Sequence, residues 1–69
     1  MERQAVTSSN IASIGYDEAT STLEVEFLNS GMYHYYDVPY NEYQGLMQAE
    51  SHGKYLVANI KGRYRYSKV

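Results

Sequence analysis

The run Gly31-Met32-Tyr33-His34-Tyr35-Tyr36-Asp37-Val38-Pro39 constrains the fold more than any other stretch, because three tyrosines and a valine favour a pleated, half-buried surface. Proline lacks the N–H that an interior ladder needs, so the strand has to end at Pro39. Just before it, Leu23-Glu24-Val25-Glu26-Phe27 alternates strictly, with apolar residues on one face and glutamates on the other. Asn29-Ser30-Gly31 suits a three-residue hairpin loop whose left-handed last position glycine accepts without strain. That loop predicts Leu28 opposite Met32, Phe27 opposite Tyr33 and Val25 opposite Tyr35, which sets two aromatic rings beside the apolar face of the preceding strand. On the other face Glu26 would stand across from His34 and Glu24 across from Tyr36, both turned to solvent. Val38 has the wrong parity for this core and needs a kink at Asp37-Val38-Pro39 to turn inward.

Upstream, Ser8-Ser9-Asn10 should open a turn, followed by a first strand with Ala12, Ile14 and Tyr16 on one face. Gly15 within it signals a bulge or a close approach. Residues 1–7 show no period and are expected to be loosely held. Downstream, Asn41 can cap a helix, with Gln44 completing a capping box and Glu42 at the positive end of the dipole. Tyr43, Leu46 and Met47 repeat at helical spacing, with Glu50 a further candidate for that face. Gly45 costs such a helix about 1 kcal/mol relative to alanine, which points to close packing there. Ser51-His52-Gly53 ends this helix and can start another, in which Leu56 and Ile60 reach the core and after which Gly62 is the stop. Arg63-Tyr64-Arg65-Tyr66 alternates basic and aromatic residues, as a strand or extended tail with tyrosines on one side and arginines on the other would.

The expected fold is therefore α+β: an antiparallel three-stranded β-meander (about 11–16, 22–28, 32–38), two short helices (about 42–50, 54–61) and a short C-terminal strand or extended tail. All of it forms one domain over residues 1–69. A chain this short buries only about 60% of the surface its unfolded form exposes, so its core is thin. With no cysteine and only His34 and His52, neither disulfides nor a metal cluster are expected, and no cofactor is implied. Nine tyrosines against one phenylalanine and no tryptophan mean much half-exposed ring surface, either a thin core built from rings whose tips reach water or a binding face. No apolar run approaches the ~18 residues of a membrane span, and no signal-sequence pattern opens the chain, so a cytoplasmic protein without membrane contact is expected.

Charge is unevenly spread. The net charge is −2, yet all eight acidic residues lie in the first fifty positions, and Lys54, Lys61, Arg63, Arg65 and Lys68 follow Gly53. A catalytic reading finds little to stand on. His34 beside a single glutamate has no nucleophile near it, Ser8-Ser9 has no partner base, and the glycines are isolated rather than gathered in a phosphate loop. No catalytic residue is assigned. The residues point instead to a non-catalytic binding module that engages RNA or another single-stranded nucleic acid weakly through its basic, tyrosine-rich C-terminal end. Lys54, Lys61, Arg63 and Arg65 would neutralise phosphates, and Tyr36, Tyr64, Tyr66 and His34 would offer stacking faces. The alternative is a self-associating protein-interaction module or a binder of a small anion or nucleotide.

The order and spacing of Ser8-Ser9 with Ile11, Tyr16, Leu23/Val25/Phe27, Gly31, Tyr33-x-Tyr35 with Val38-Pro39, Tyr43/Leu46/Ala49 and Ser51-x-Gly53-x-Tyr55 with Ile60 resemble the KTSC domain family. That family is named for its place at the C-terminus of some lysyl-tRNA synthetases and also occurs alone in short bacterial and phage proteins. The resemblance runs from about Ser8 to Tyr66 and implies the fold above, with RNA binding as the suggested role. This chain departs from it at Leu56 and Val57, where members often have phenylalanine and asparagine, and at Ala58, where they carry basic residues.

Overall fold

The computed structural model describes residues 2–69. Its sheet has five antiparallel strands in chain order: β1 (Arg3–Ala5), β2 (Ile11–Asp17), β3 (Thr22–Phe27), β4 (Gly31–Tyr35) and β5 (Tyr66–Lys68). Between β4 and β5 the chain makes helix α1 (Tyr40–Gln48), helix α2 (His52–Tyr55) and a π-helical turn (Leu56–Ile60) that continues α2. The meander expected from the sequence is the middle of this sheet, and each terminus adds a strand to one edge.

The β3–β4 hairpin shows how parity can hold while register moves. Phe27 faces Gly31, Val25 faces Tyr33 and Leu23 faces Tyr35. The turn is Leu28-Asn29-Ser30, and Gly31, at φ +88°, opens the return strand. Every partner is thus two residues away from the expected one. Because side chains alternate with period two, the slip changes partners but leaves each residue on its face. Leu23, Val25 and Tyr35 are buried inward, with Phe27 and Tyr33 packed against them. The glutamates point the other way, but Glu24 rather than Glu26 meets His34. Nor is Glu24 solvent-facing: it is only 8% exposed.

A bulge in β2 corrects the first strand. Ile11 pairs with Phe27 while Ser13 pairs with Glu26, so Ala12 is the extra residue. The insertion switches parity, which sends both Ile11 and Ile14 into the core and leaves Ala12 at its margin. Gly15 serves as a point of close approach: a Cβ there would lie 2.5 Å from the Glu2 carbonyl oxygen and 3.0 Å from Arg3 Cγ. Of residues 1–7, expected to be loosely held, 3–5 form a docked strand, and Met1 lies outside the described residues. Arg3, Gln4 and Ala5 pair with Gly15, Ile14 and Ser13, a docking that period analysis of so short a segment does not register.

β4 stops at Tyr35, three residues before the expected end. Asp37 adopts φ +59°, the left-handed region, and this kink turns Val38 into the core. Helix α1 then starts at Tyr40, with Pro39 at its N-cap position and the N–H groups of Glu42 and Tyr43 donating to the Pro39 carbonyl. Asn41 is therefore inside the first turn and caps nothing, and Glu50 lies beyond the helix and is exposed. Proline sets an extended φ that leads directly into the helix, which makes a side-chain cap at 41 unnecessary. The second helix begins at His52, two residues early, because Ser51 Oγ accepts from the Lys54 N–H at 3.2 Å and serves as its cap. Its last turn is wide, with the Lys61 N–H donating to the Leu56 carbonyl, and it carries Leu56 and Ile60 into the core.

Leu46, Leu56 and Ile60 close over Ile11, Ile14, Leu23, Val25, Tyr35 and Val38 on one face of the sheet. Replacing Gly15 by valine should push β1 off the sheet. Amides of residues 3–6 are then expected to lose hydrogen-exchange protection, with a loss of ~1–3 kcal/mol in stability and a fall in Tm of about 4–8 °C per kcal/mol.

Candidate nucleic-acid interface

Nine tyrosines raise the question of where nine hydroxyls go. Four are used inside the protein. Tyr16 donates to the Val38 carbonyl, fixing the kink, and Tyr36 shares a hydrogen bond with Ser67 of β5. Tyr55 and Tyr64 both donate to Glu42, at 2.6 and 3.0 Å. Gly45 makes the Tyr55 bond feasible, since a Cβ there would lie 2.3 Å from the phenol oxygen. The close packing expected at Gly45 is thus the passage of one phenol across α1.

Glu42 thereby ties the segment after Gly62 to the first turn of α1. That segment is a turn over residues 61–65, and the strand itself starts only at Tyr66. Tyr64 and Tyr66 consequently do not share one side as the alternation suggested. The Tyr64 hydroxyl points to Glu42, whereas the Tyr66 ring lies 6.0 Å from Tyr33 and 5.8 Å from Tyr35. The Glu42 hydrogen bond and burial hold the Tyr55 phenol above its ordinary range, and burial with the Glu42 hydrogen bond does the same for Tyr64. Tyr35 is raised by burial and by the neighbouring phenols of Tyr33 and Tyr66.

Two depressions meet at Tyr66. An outer groove of about 600 Å³ is bordered by Tyr36, Gly62, Arg63, Tyr64, Arg65 and Tyr66. Within it the Arg65 guanidinium lies 5.8 Å from the Tyr36 ring centre and 3.2 Å from the Asp37 carboxylate, in an exposed pair. Arg63 lies 6.0 Å from the ring of Tyr64. An inner cleft of about 460 Å³ has Phe27, Tyr33, Tyr35 and Tyr66 as walls, with Lys61, Gly62 and Ser30 at its margin. Of the residues singled out by sequence, Tyr36, Arg63, Tyr64, Arg65 and Tyr66 come together in the outer groove, and Lys61 joins Tyr66 at the inner cleft. Lys54 sits on α2 and borders neither. His34, on the sheet face away from the core, borders neither depression, although its ring meets that of Tyr36 edge to face at 6.4 Å. Phe27, Tyr33 and Tyr35 were assigned by sequence to the core alone, because alternation reports which face a residue takes and not how far the helices extend over it.

On that opposite face, Arg3, Gly15, Glu24, His34 and Ser67 form one row across all five strands. The side-chain-free Gly15 lets Arg3 reach over β2 to Glu24 at 3.1 Å, while His34 Nε2 meets the other carboxylate oxygen at 2.8 Å. Arg3 Nε also donates to Ser13 Oγ, which donates to Glu26. Burial pushes the Glu24 carboxyl upward, but the hydrogen bonds from His34 and Arg3 outweigh it, so its titration lies below the ordinary carboxylate range. Among the described residues no group of three or more His, Cys, Asp or Glu side chains is placed to hold a metal ion.

One antiparallel sheet under a single helical layer, with a basic, tyrosine-rich turn leading into the last strand, defines a small α+β domain. The chain belongs to the KTSC domain family, whose sequence profile matches residues 7–64. It is similar to a crystallised KTSC domain protein from Yersinia pestis, at 41% identity and a TM-score of 0.97, over 99% of this chain and 96% of that one. An uncharacterized protein of Stutzerimonas stutzeri (strain A1501) is 39% identical over 70 residues, 100% of this chain and 99% of its own length. The lysine–tRNA ligase of Trichormus variabilis is 35% identical over 54 residues, 78% of this chain but 10% of the ligase. Among the described residues no helix is long and apolar enough to cross a membrane.

Two outcomes are expected from the ionisable groups. The Glu24 contribution is present above the unfolded carboxyl value of about 4.3 and is lost as pH falls through the lower folded value. Acid unfolding of Glu24→Gln should therefore be shallower than that of the parent, which urea melts at pH 2–6 would measure. Removing the bracket with Glu42→Ala should cost ~1–3 kcal/mol and let the Tyr55 and Tyr64 phenols ionise at lower pH in an ultraviolet titration. The raised phenol values give stability present below about pH 10 and lost as pH rises through the folded values.

Proposed function

We propose that the domain is a non-catalytic module that binds single-stranded RNA through the outer groove. The observation that carries this reading is the meeting of Arg63 and Arg65 with the rings of Tyr36, Tyr64 and Tyr66 around one open depression. Unpaired strands are bound by this combination, cations for phosphates and ring faces for bases, without the need to read a duplex groove. The exposed Arg65–Asp37 pair is one a phosphate can replace, and the acidic remainder of the chain repels a polyanion elsewhere. Attraction is thus confined to the end that carries the groove and depends strongly on salt. The likeness to a segment of enzymes that act on a tRNA supports RNA as the ligand.

Fluorescence anisotropy with a labelled single-stranded RNA tests the reading. Association is expected at low salt, with affinity falling roughly ten-fold between about 50 and 200 mM salt if two or three phosphates are contacted. Arg63→Glu combined with Arg65→Glu should abolish it. No association at high protein concentration, or affinity unchanged in the double variant, overturns the assignment.

A further inference from the structure

We infer that the inner cleft is a nucleotide slot, which receives one base with its attached phosphate while the neighbouring strand lies in the outer groove. This rests on the RNA-binding reading and extends it from the shared Tyr66 to Phe27, Tyr33, Tyr35 and Lys61, which that reading does not use. The cleft falls within the roughly 300–1,000 Å³ typical of small-ligand sites, at about 460 Å³. Its walls are aromatic and its composition is selective: Lys61 is the one charged residue that borders it, and Gly62 adds no side chain at the mouth. Apolar ring faces with a single cation at the margin match the two chemical halves of a nucleotide.

The rings themselves say how the base is held. Phe27 and Tyr33 meet edge to face at 5.4 Å, Tyr33 and Tyr66 lie 6.0 Å apart, and Tyr35 and Tyr66 5.8 Å apart. They already touch one another, so a base lies over them and does not insert between them. Tyr66, 60% exposed on the edge strand, offers the most open ring. The phenols of Tyr16, Tyr36, Tyr55 and Tyr64 have their partners inside the protein, whereas those of Tyr33, Tyr35 and Tyr66 donate to no group among the described residues. Since no buried polar atom among the described residues lacks a partner, the hydroxyl of the half-buried Tyr33 reaches solvent, and with that of the exposed Tyr66 it can meet the edge of a base, while Tyr35, only 2% exposed, contributes wall alone. Tyr66 and Gly62 border both depressions, so a strand leaving the slot passes directly to Arg63 and Arg65.

Adenosine 5′-monophosphate and a short oligoadenylate, followed by amide and tyrosine-ring NMR shifts on the whole chain, separate the parts. The mononucleotide is expected to shift Phe27, Tyr33, Lys61, Gly62 and Tyr66. Tyr66→Leu, at a position 60% exposed on the edge strand, should weaken it about five-fold or more with the amide spectrum of the fold retained, Lys61→Gln should weaken it further than it weakens plain adenosine, and Arg63→Glu with Arg65→Glu should leave it in place. The oligonucleotide should lose affinity in all three variants. Should it bind through Arg63 and Arg65 yet ignore Tyr66→Leu and Lys61→Gln, the slot is refuted while RNA binding stands. Should the mononucleotide occupy the cleft while no oligonucleotide binds, RNA binding is refuted and the slot belongs to free nucleotides. Shifts that map elsewhere, or none with either probe, overturn the slot.

Discussion

Burial on a single face of the sheet sets the terms for the rest of the molecule. Among the described residues nine side chains form the core, and all of them lie where the strands meet one thin helical layer. A sheet covered on one side normally turns polar groups to water on the other. Here the uncovered face is instead knitted together, with Glu24 held by Arg3 from the edge strand β1 and by His34 from the adjacent strand β4. The network depends on an absence, the missing side chain of Gly15, which leaves a corridor across β2 for the guanidinium. A carboxylate so little exposed is tolerable only because both of its oxygens have partners.

The same economy appears on the helical side. A tyrosine adds apolar area to a small core but brings a hydroxyl that must be satisfied, and the chain converts that obligation into ties between elements. Tyr16 fastens β2 to the kink after β4, and Tyr55 and Tyr64 fasten two separate segments to one carboxylate in the first turn of α1. Glu42 therefore has two duties, favourable placement at the start of a helix dipole and anchorage of the turn that carries the arginines. The composition that looked anomalous in the sequence is in part an account of these ties, and three of the five remaining tyrosines, Tyr33, Tyr35 and Tyr66, border the cleft.

Much of this was legible in the residues, and the omissions have identifiable causes. Strict alternation in 23–27 and the tyrosines of 33 and 35 gave the correct faces, since period two survives a register slip. It could not give the partners, because a turn at 28–30 and one at 29–31 leave parity identical. The bulge at Ala12 escaped because Ile14 and Tyr16 satisfy the alternation with or without it. β1 was missed because three exposed residues carry no pattern, and its cause, the gap at Gly15, is visible only once two strands are adjacent. Around the two depressions stand Lys61, Arg63 and Arg65, named by charge counting, and Tyr36, Tyr64 and Tyr66, named by aromatic content. Phe27, Tyr33 and Tyr35 were hidden by their own core signal, as an inward residue at the rim of a small sheet can face both interior and cleft.

The placement of the terminal strands has a bearing on how the domain can meet other chains. β1 and β5 occupy the two outer edges, each only three residues long, with Arg3 on one and Lys68 on the other. Short cationic margins make poor templates for adding a further strand from a neighbour. Recognition is thereby shifted from main-chain pairing to side-chain chemistry, and growth of the sheet into ordered stacks of copies is discouraged by its outline alone.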